Sequence, residues 1–361
     1  MGNYAIACGG TGGHICPGIA VAEELSARGH GCVLLVSGKK IDAAVMRKYG
    51  GLRHVPIRAK PPSKNPIKFF TFAASQLLAF IGCILLLKRE RINCVIGMGG
   101  FTSIPAVFAA FVLGKSIIIH ESNRIPGKST RLLAHLADII FLPPGISLGG
   151  KSLAKKTIHV AVPLRKEIYG MDRRTARENL QLQLNMPTVV VLGGSQGADA
   201  LNLWAYSAFR DLNAHGIALC CVRGILAEKR EIVIGKSSGG EDIANVFMPF
   251  CDDMRSLLNA ADLIVCRAGA VTIAEAAALS IPMVLVPYPN AADGHQLANA
   301  THAASIGIAT VVLQENISDL GKIVLKYFQK NPKGTCAAVV SERERSSAME
   351  IAEYAERIIH E

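Results

Sequence analysis

Several features that would assign this 361-residue sequence at once to a familiar functional class are missing. Its ten cysteines form no C-x-x-C pair, which removes a zinc ribbon and a thioredoxin-type redox site. Apart from Cys220 and Cys221 they are scattered, and Cys32, Cys94 and Cys266 sit in apolar runs, the setting of reduced core thiols. Aromatic residues make up only 6% of the chain, which argues against a β-sandwich, and charged residues only 19% against 50% apolar, which argues against disorder. Met1–Ile6 has neither a charged leader region nor a cleavage site, so export is not expected. Acidic residues are outnumbered 28 to 39 by Lys and Arg, and a net charge of +11 favours anionic partners. The basic residues show no aromatic interleaving and no nucleic-acid module, so nucleic acid is not expected among those partners.

What is present is an alternation of apolar, strand-length runs with helix-length amphipathic segments. Strands are expected at Tyr4–Cys8, Cys32–Val36, Cys94–Ile96 and Ser116–Ile119. The same grammar restarts at Thr188–Leu192 and continues through Ala218–Val222, Leu263–Cys266 and Met283–Val286. Nearly unbroken apolar strands separated by helices imply parallel sheets buried on both faces. The fold class is therefore α/β, two doubly wound Rossmann-like domains facing across a cleft. The expected boundaries are 1–163 and 164–341, with a last helix in 342–361 packing back on the first domain.

Strand-then-glycine occurs twice, as Gly9-Gly10-Thr11-Gly12-Gly13-His14 and as Gly193-Gly194-Ser195-Gln196-Gly197-Ala198. Each offers unpaired backbone N–H groups and the positive end of a helix, an anion site. Neither loop is G-x-G-x-x-G, and Ser37-Gly38-Lys39 stands where an acidic residue would end the second strand, so a nicotinamide cofactor is disfavoured. Ser122–Ser129 ends like a P-loop but lacks the first glycine, and Pro126 removes a donor such a loop needs. His120-Glu121 opens like a zinc-protease motif, yet Arg124 stands where its second His belongs, and no metal site is expected. A third helix start follows the strand Leu263–Val265, at Gly269-Ala270-Val271-Thr272-Ile273-Ala274-Glu275. There the helix N–H groups suit phosphates, while the Glu275 carboxylate can accept two hydrogen bonds from a ribose.

These blocks, in this order, resemble the donor signature of GT-B glycosyltransferases, and the whole chain is similar to the MurG family. The resemblance rests on GGTGGHICPG (Gly9–Gly18), GMGGFTSIP (Gly97–Pro105), HESNRIPGKSTR (His120–Arg131), GGSQGA (Gly193–Ala198), FCDDM (Phe250–Met254), CRAGAVTIAE (Cys266–Glu275) and the Asp293–Ala300 segment. It implies an inverting transfer of N-acetylglucosamine from UDP-GlcNAc to an undecaprenyl-linked acceptor in peptidoglycan synthesis, without a cofactor. It also implies that Ser195 binds phosphate, Cys251 lies against the base, Ala270 to Ile273 present N–H groups, Ala274 belongs to the same donor-binding stretch, and Glu275 holds the ribose. Gln296 would reach the hexose, Arg165 matches an interdomain arginine, and Thr11, Gly12, Gly13 and Asn123 would close on the sugar. The chain departs from the family at Ala161-Val162, where Gly-Asn is usual, and at Cys16 and Ser122, where an aromatic residue and Gln are usual. A related transferase acting on another lipid acceptor, such as diacylglycerol, is the alternative reading.

Such a transfer needs a base for the acceptor hydroxyl and neutralisation of departing UDP. His14 is the first candidate base, because imidazole titrates near neutrality, and Glu121 is its rival. Arg165 and the Gly269–Thr272 turn are the candidates for the leaving group. Phe69–Leu87 is uncharged over 19 residues and is flanked by Lys60, Lys64, Lys68 and by Lys88, Arg89, Arg91. A single span would put the two flanking glycine blocks on opposite sides of a bilayer. The expectation is instead a helix that dips one apolar face into the anionic leaflet, at the cytoplasmic face of the bacterial inner membrane, as a peripheral protein. A wholly buried core helix is the bland alternative.

Overall fold

The computed structural model describes residues 1–60, 66–194, 196–331 and 343–360. Ser195 and Lys64 therefore lie outside the described residues, as do the side chains of Lys68 and Phe69. The chain divides into two compact units, Met1–Lys166 with Glu342–Glu361, and Glu167–Ser341.

Unit 1 alternates β1 (Asn3–Ala7), α1 (Gly12–Ala27), β2 (Gly31–Ser37), α2 (Lys40–Lys48), β3 (His54–Ile57), α3 (Pro66–Arg89), β4 (Cys94–Gly97), α4 (Ser103–Val112), β5 (Ser116–His120), α5 (Lys128–Leu133), β6 (Ile139–Leu142), α6 (Lys151–Lys156) and β7 (Thr157–His159). The strands pair in parallel in the order β3-β2-β1-β4-β5-β6-β7. Unbroken apolar strands such as Ile117–Ile119 are buried because helices cover both faces. One face packs Ala79, Cys83 and Leu87 of α3 and Ala106, Val107 and Ala110 of α4 against β1, β4 and β5.

Unit 2 runs α7 (Arg173–Leu180), β8 (Thr188–Leu192), α8 (Asp199–Ala214), β9 (Ala218–Val222), β10 (Glu231–Lys236), β11 (Asp242–Met248), α9 (Met254–Ala260), β12 (Leu263–Cys266), α10 (Ala270–Ala278), β13 (Met283–Leu285), α11 (His295–Ser305), β14 (Ala309–Val311) and α12 (Leu320–Lys330). Its sheet order is β10-β11-β9-β8-β12-β13-β14. The expected parallel pattern fails at one edge, where β10 and β11 pair antiparallel. The sequence Glu231–Lys236 is mostly exposed there, as suits a hairpin with one solvated face.

After the unit 2 helices comes α13 (Arg343–Ile358), which packs on α1 in unit 1. Tyr4 Oη donates to the Ala355 carbonyl at 3.2 Å, Arg28 pairs with Glu356 at 3.0 Å, and His30 Nε2 meets Glu356 at 2.7 Å. In both sheets the strand order reverses beside the first strand of the unit, between β1 and β4 and between β8 and β12. Loops leaving the carboxyl ends of those strands flank the crevice where open α/β sheets bind ligands. The glycine blocks of the sequence fall on these loops.

Candidate functional site: two carboxyl-edge loop clusters

In unit 1 the loop after β1 is held from below by Asp42, in the first turn of α2. One carboxylate oxygen accepts the Gly10 N–H at 2.8 Å, the Ser37 N–H at 2.8 Å and the Ser37 hydroxyl at 2.6 Å. Three donors on one buried oxygen fix the loop against the end of β2. His14 opens α1 on that loop, and its Nδ1 lies 3.1 Å from Thr11 Oγ1. The imidazole rests on the turn after β4: a Cβ built at Gly99 would lie 3.2 Å from His14 Nε2, and one at Gly100 3.0 Å from Nδ1. Both glycines have positive φ, 91° and 75°, so the turn needs glycine for its backbone as well as for the space it leaves.

Glu121, at the end of β5, is buried, and its carboxylate is fully engaged. It accepts the Asn123 N–H and Asn123 Nδ2 at 2.9 Å each, the Gly127 N–H at 2.9 Å and the Thr130 hydroxyl at 2.7 Å. Burial alone would raise its pKa, but the hydrogen bonds from Gly127, Asn123 and Thr130 outweigh it and hold the carboxyl below its usual value. Such a group is a poor proton acceptor near neutrality, and its bonds instead fix the loop from Ser122 to Thr130. Beside it, burial pushes the His120 imidazole down to about 4, opposed by the Glu121 charge and reinforced by His14. In the sequence His120 stood only as the opening of an incomplete zinc-protease motif and of the block His120–Arg131, with no site role of its own.

Thr11, Gly12, Gly13, His14, Glu121 and Asn123 thus share one edge of unit 1. Arg165 does not join them. It is buried and donates from Nη1 to the Tyr49 hydroxyl at 3.2 Å. Tyr49 is seven residues beyond Asp42, about 10 Å farther along the direction of α2.

In unit 2 the loop after β8 crosses the loop after β9 so closely that a Cβ on Gly197 would lie 1.9 Å from the Arg223 carbonyl. The loop leads into α8, whose first turn carries Asp199. After β12, the N–H of Ile273 already returns to the Gly269 carbonyl at 3.0 Å. The N–H groups of Ala270, Val271 and Thr272 precede that bond and have no earlier carbonyl within the helix to meet, the anion-binding end of α10. Ile273, Ala274 and Glu275 follow, and Glu275 is only 2% exposed in the second turn. Gln296 opens α11, where its side-chain carbonyl accepts the Tyr288 N–H at 2.9 Å, so its NH₂ end carries the donors it can offer. Cys251, after β11, is buried with its thiol 3.4 Å from the Asp253 carbonyl.

Two positioning residues here lie inside sequence blocks of the family resemblance but had no role assigned from them. Arg267 donates from Nη1 to the Val286 carbonyl at 3.1 Å and to the Pro287 carbonyl at 3.3 Å, lacing the ends of β12 and β13, and burial pulls its pKa down. Asn299 donates to the Ala268 carbonyl at 3.1 Å, which ties α11 to the same turn. Among the described residues no group of three or more His, Cys, Asp or Glu side chains is placed to hold a metal ion.

Comparison with known proteins bears on both halves. Residues 4–142 match the Glycosyltransferase family 28 N-terminal domain, and residues 188–357 match the family's C-terminal domain. A protein of Opitutus terrae, named UDP-N-acetylglucosamine–N-acetylmuramyl-(pentapeptide) pyrophosphoryl-undecaprenol N-acetylglucosamine transferase, is 39% identical over 87% of this chain and 83% of its own. Proteins of the same name from Prochlorococcus marinus and Halorhodospira halophila are 36% and 35% identical, over 87% of this chain and 84% and 85% of theirs. The crystal structure of Acinetobacter baumannii MurG superposes with a TM-score of 0.68 at 22% identity, covering 99% of this chain and 100% of that one. A Listeria monocytogenes structure described as a UDP-N-acetylglucosamine 2-epimerase reaches the same score at 12% identity, covering 100% of this chain and 97% of its own. Fold likeness therefore separates neither reaction, and the discrimination comes from sequence identity.

Proposed function

The chain belongs to glycosyltransferase family 28, among the MurG transferases, and from that membership we infer that it moves N-acetylglucosamine from UDP-GlcNAc to lipid-linked N-acetylmuramyl-pentapeptide. It is a hexosyltransferase of peptidoglycan synthesis with the GT-B fold of two Rossmann-like units. The observation that carries the chemistry is the turn Gly269–Glu275 at the strand-order reversal of unit 2, which offers helix N–H groups and a carboxylate on one element.

In this reading α10 and the loop after β8 hold the donor's diphosphate, and Glu275 holds the ribose. The N-terminal dipole of α10 receives the negative charge that develops on departing UDP. Ser195, Cys251 and Gln296 complete the donor side for phosphate, base and hexose. On the acceptor side, His14 takes the proton of the attacking hydroxyl as the new bond forms on the face opposite UDP, inverting the anomeric centre. Thr11, Gly12, Gly13 and Asn123 border the transferred sugar. Glu121 receives a positioning role, because its oxygens already accept four hydrogen bonds. Arg165 remains the candidate cation for the leaving group, with one of its guanidinium nitrogens donating to the Tyr49 hydroxyl.

Glu275→Ala is expected to raise the KM for UDP-GlcNAc roughly tenfold or more, the effect of losing charge-assisted hydrogen bonds, with a smaller change in kcat. Steady-state assays with the donor varied against saturating acceptor check this. An unchanged donor KM would remove Glu275 from the donor site.

We further propose that the enzyme works as a peripheral protein at the cytoplasmic face of the inner membrane. Phe70–Arg89 of α3 has a mean hydropathy of 2.2 and is 22% buried, so it is not a wholly buried core helix. Phe70, Leu77, Leu78, Ile81 and Leu85 are exposed on it, while Ala79, Cys83 and Leu87 turn into the core. An apolar face ending in Lys88, Arg89 and Arg91 suits an anionic leaflet, at about 1 kcal/mol per basic residue near the surface. Replacing Leu77, Leu78 and Leu85 together by Ser is expected to abolish flotation with anionic vesicles, and high salt to weaken the wild type. Flotation that survives both treatments would overturn the surface-attachment account.

A further inference from the structure

The first glycine loop carries one cation that no motif accounts for. Lys39, just past the end of β2, donates from its ammonium to the Gly10 carbonyl at 3.0 Å, and the same nitrogen sits 5.2 Å from the centre of the Phe101 ring. These two contacts come from the loops after β1 and β4, the pair that flanks the strand-order reversal of unit 1. The charge is thus held at one spot on the loop, at the carbonyl of the residue that precedes Thr11. Among the described residues Lys39 has no carboxylate partner. Of the nearby acids, Asp42 gives one oxygen to Gly10 and Ser37 and keeps the other buried without a hydrogen bond to Lys39, and Glu121 is committed to Asn123, Gly127 and Thr130. A carbonyl oxygen and an aromatic face orient an ammonium without neutralising it, so its charge is left for an outside anion.

We propose that Lys39 is a substrate-binding residue that recognises the diphosphate of the lipid-linked acceptor. The inference rests on the transferase reading above, in which unit 1 serves the acceptor. That acceptor, in the relatives' names, is a pyrophosphoryl lipid. A diphosphate against Lys39 brings the acceptor sugar to the same loop that carries His14, so one short element both anchors the anion and takes the proton.

The test is steady-state kinetics on the full chain with a short-chain pyrophosphoryl acceptor, alongside an analogue whose diphosphate is replaced by an uncharged linker. Lys39→Met is expected to raise the acceptor KM roughly ten- to hundredfold, the range for losing a hydrogen bond to a charged group. The donor KM and the kcat at saturating acceptor stay at wild-type values, and Lys39→Arg restores most of the loss. With the uncharged analogue, Lys39→Met and wild type have equal KM values. A lysine that only braces the loop would instead lower kcat, or act equally on both acceptors, and either result overturns the proposal. So does an unchanged acceptor KM with wild-type turnover intact. If the wild type fails to glycosylate the pyrophosphoryl acceptor at all, the transferase reading falls and this inference falls with it.

Discussion

His14→Ala is expected to lower kcat by about 10²–10⁴-fold, the usual contribution of a general base, while UDP-GlcNAc binding stays near its wild-type value. The prediction follows from separation of tasks. The imidazole is set on the unit 1 loop by Thr11 Oγ1 at 3.1 Å and by the floor of Gly99 and Gly100, whereas the donor elements of the proposed mechanism are in unit 2. Donor titration by calorimetry and single-turnover measurement with bound donor separate the two steps. Normal turnover of bound donor in the variant would remove His14 from proton transfer. Loss of donor binding alone would make it a sugar contact instead.

Asp262→Ala is expected to destabilise unit 2 by about 3–5 kcal/mol, because it strands a buried guanidinium. Asp262 Oδ2 accepts Arg177 Nη2 at 2.6 Å and the Thr188 N–H at 2.8 Å, and Oδ1 accepts from Arg173. Burial lowers the Arg177 pKa and Asp262 opposes that shift, so the cation depends on this partner. The same carboxylate fastens the start of β8 to the start of β12, and the far ends of those two strands carry the loops that the proposed function assigns to the donor. Trp204, the sole tryptophan, lies in α8 of unit 2, so its fluorescence in urea reports this unit. A loss under 1 kcal/mol would show that water or a neighbouring carboxylate satisfies Arg177 once Asp262 is gone.

Much of the fold was legible because its signals are local. Apolar runs such as Thr188–Leu192 and Leu263–Cys266 are strands wherever helices cover both faces, and the glycine blocks marked the two strand-order reversals. The antiparallel β10–β11 edge was not legible, since an exposed, half-polar hairpin has neither an unbroken apolar run nor a glycine loop. Within the site, Glu121 stood out for its position at a strand end, but its role depends on four donors brought from residues 123 to 130. Arg267, Asn299 and Lys39 each donate to a backbone carbonyl, and a carbonyl partner leaves no trace in residue type. Arg165 was singled out by the family resemblance, whereas its bond to Tyr49, 116 residues away in sequence, is a long-range contact that no local pattern shows.

The return of α13 to unit 1 has a consequence for how the chain is made. Unit 2 is one unbroken stretch, while unit 1 is assembled from both ends of the sequence. On a ribosome unit 2 therefore has all its residues before unit 1 does. Until Arg343–Ile358 emerges, Tyr4, Arg28 and His30 lack their partners at Ala355 and Glu356, and one side of α1 stays uncovered. Nascent unit 1 thus waits, with its apolar α3 already synthesised, for α13 to pack on α1.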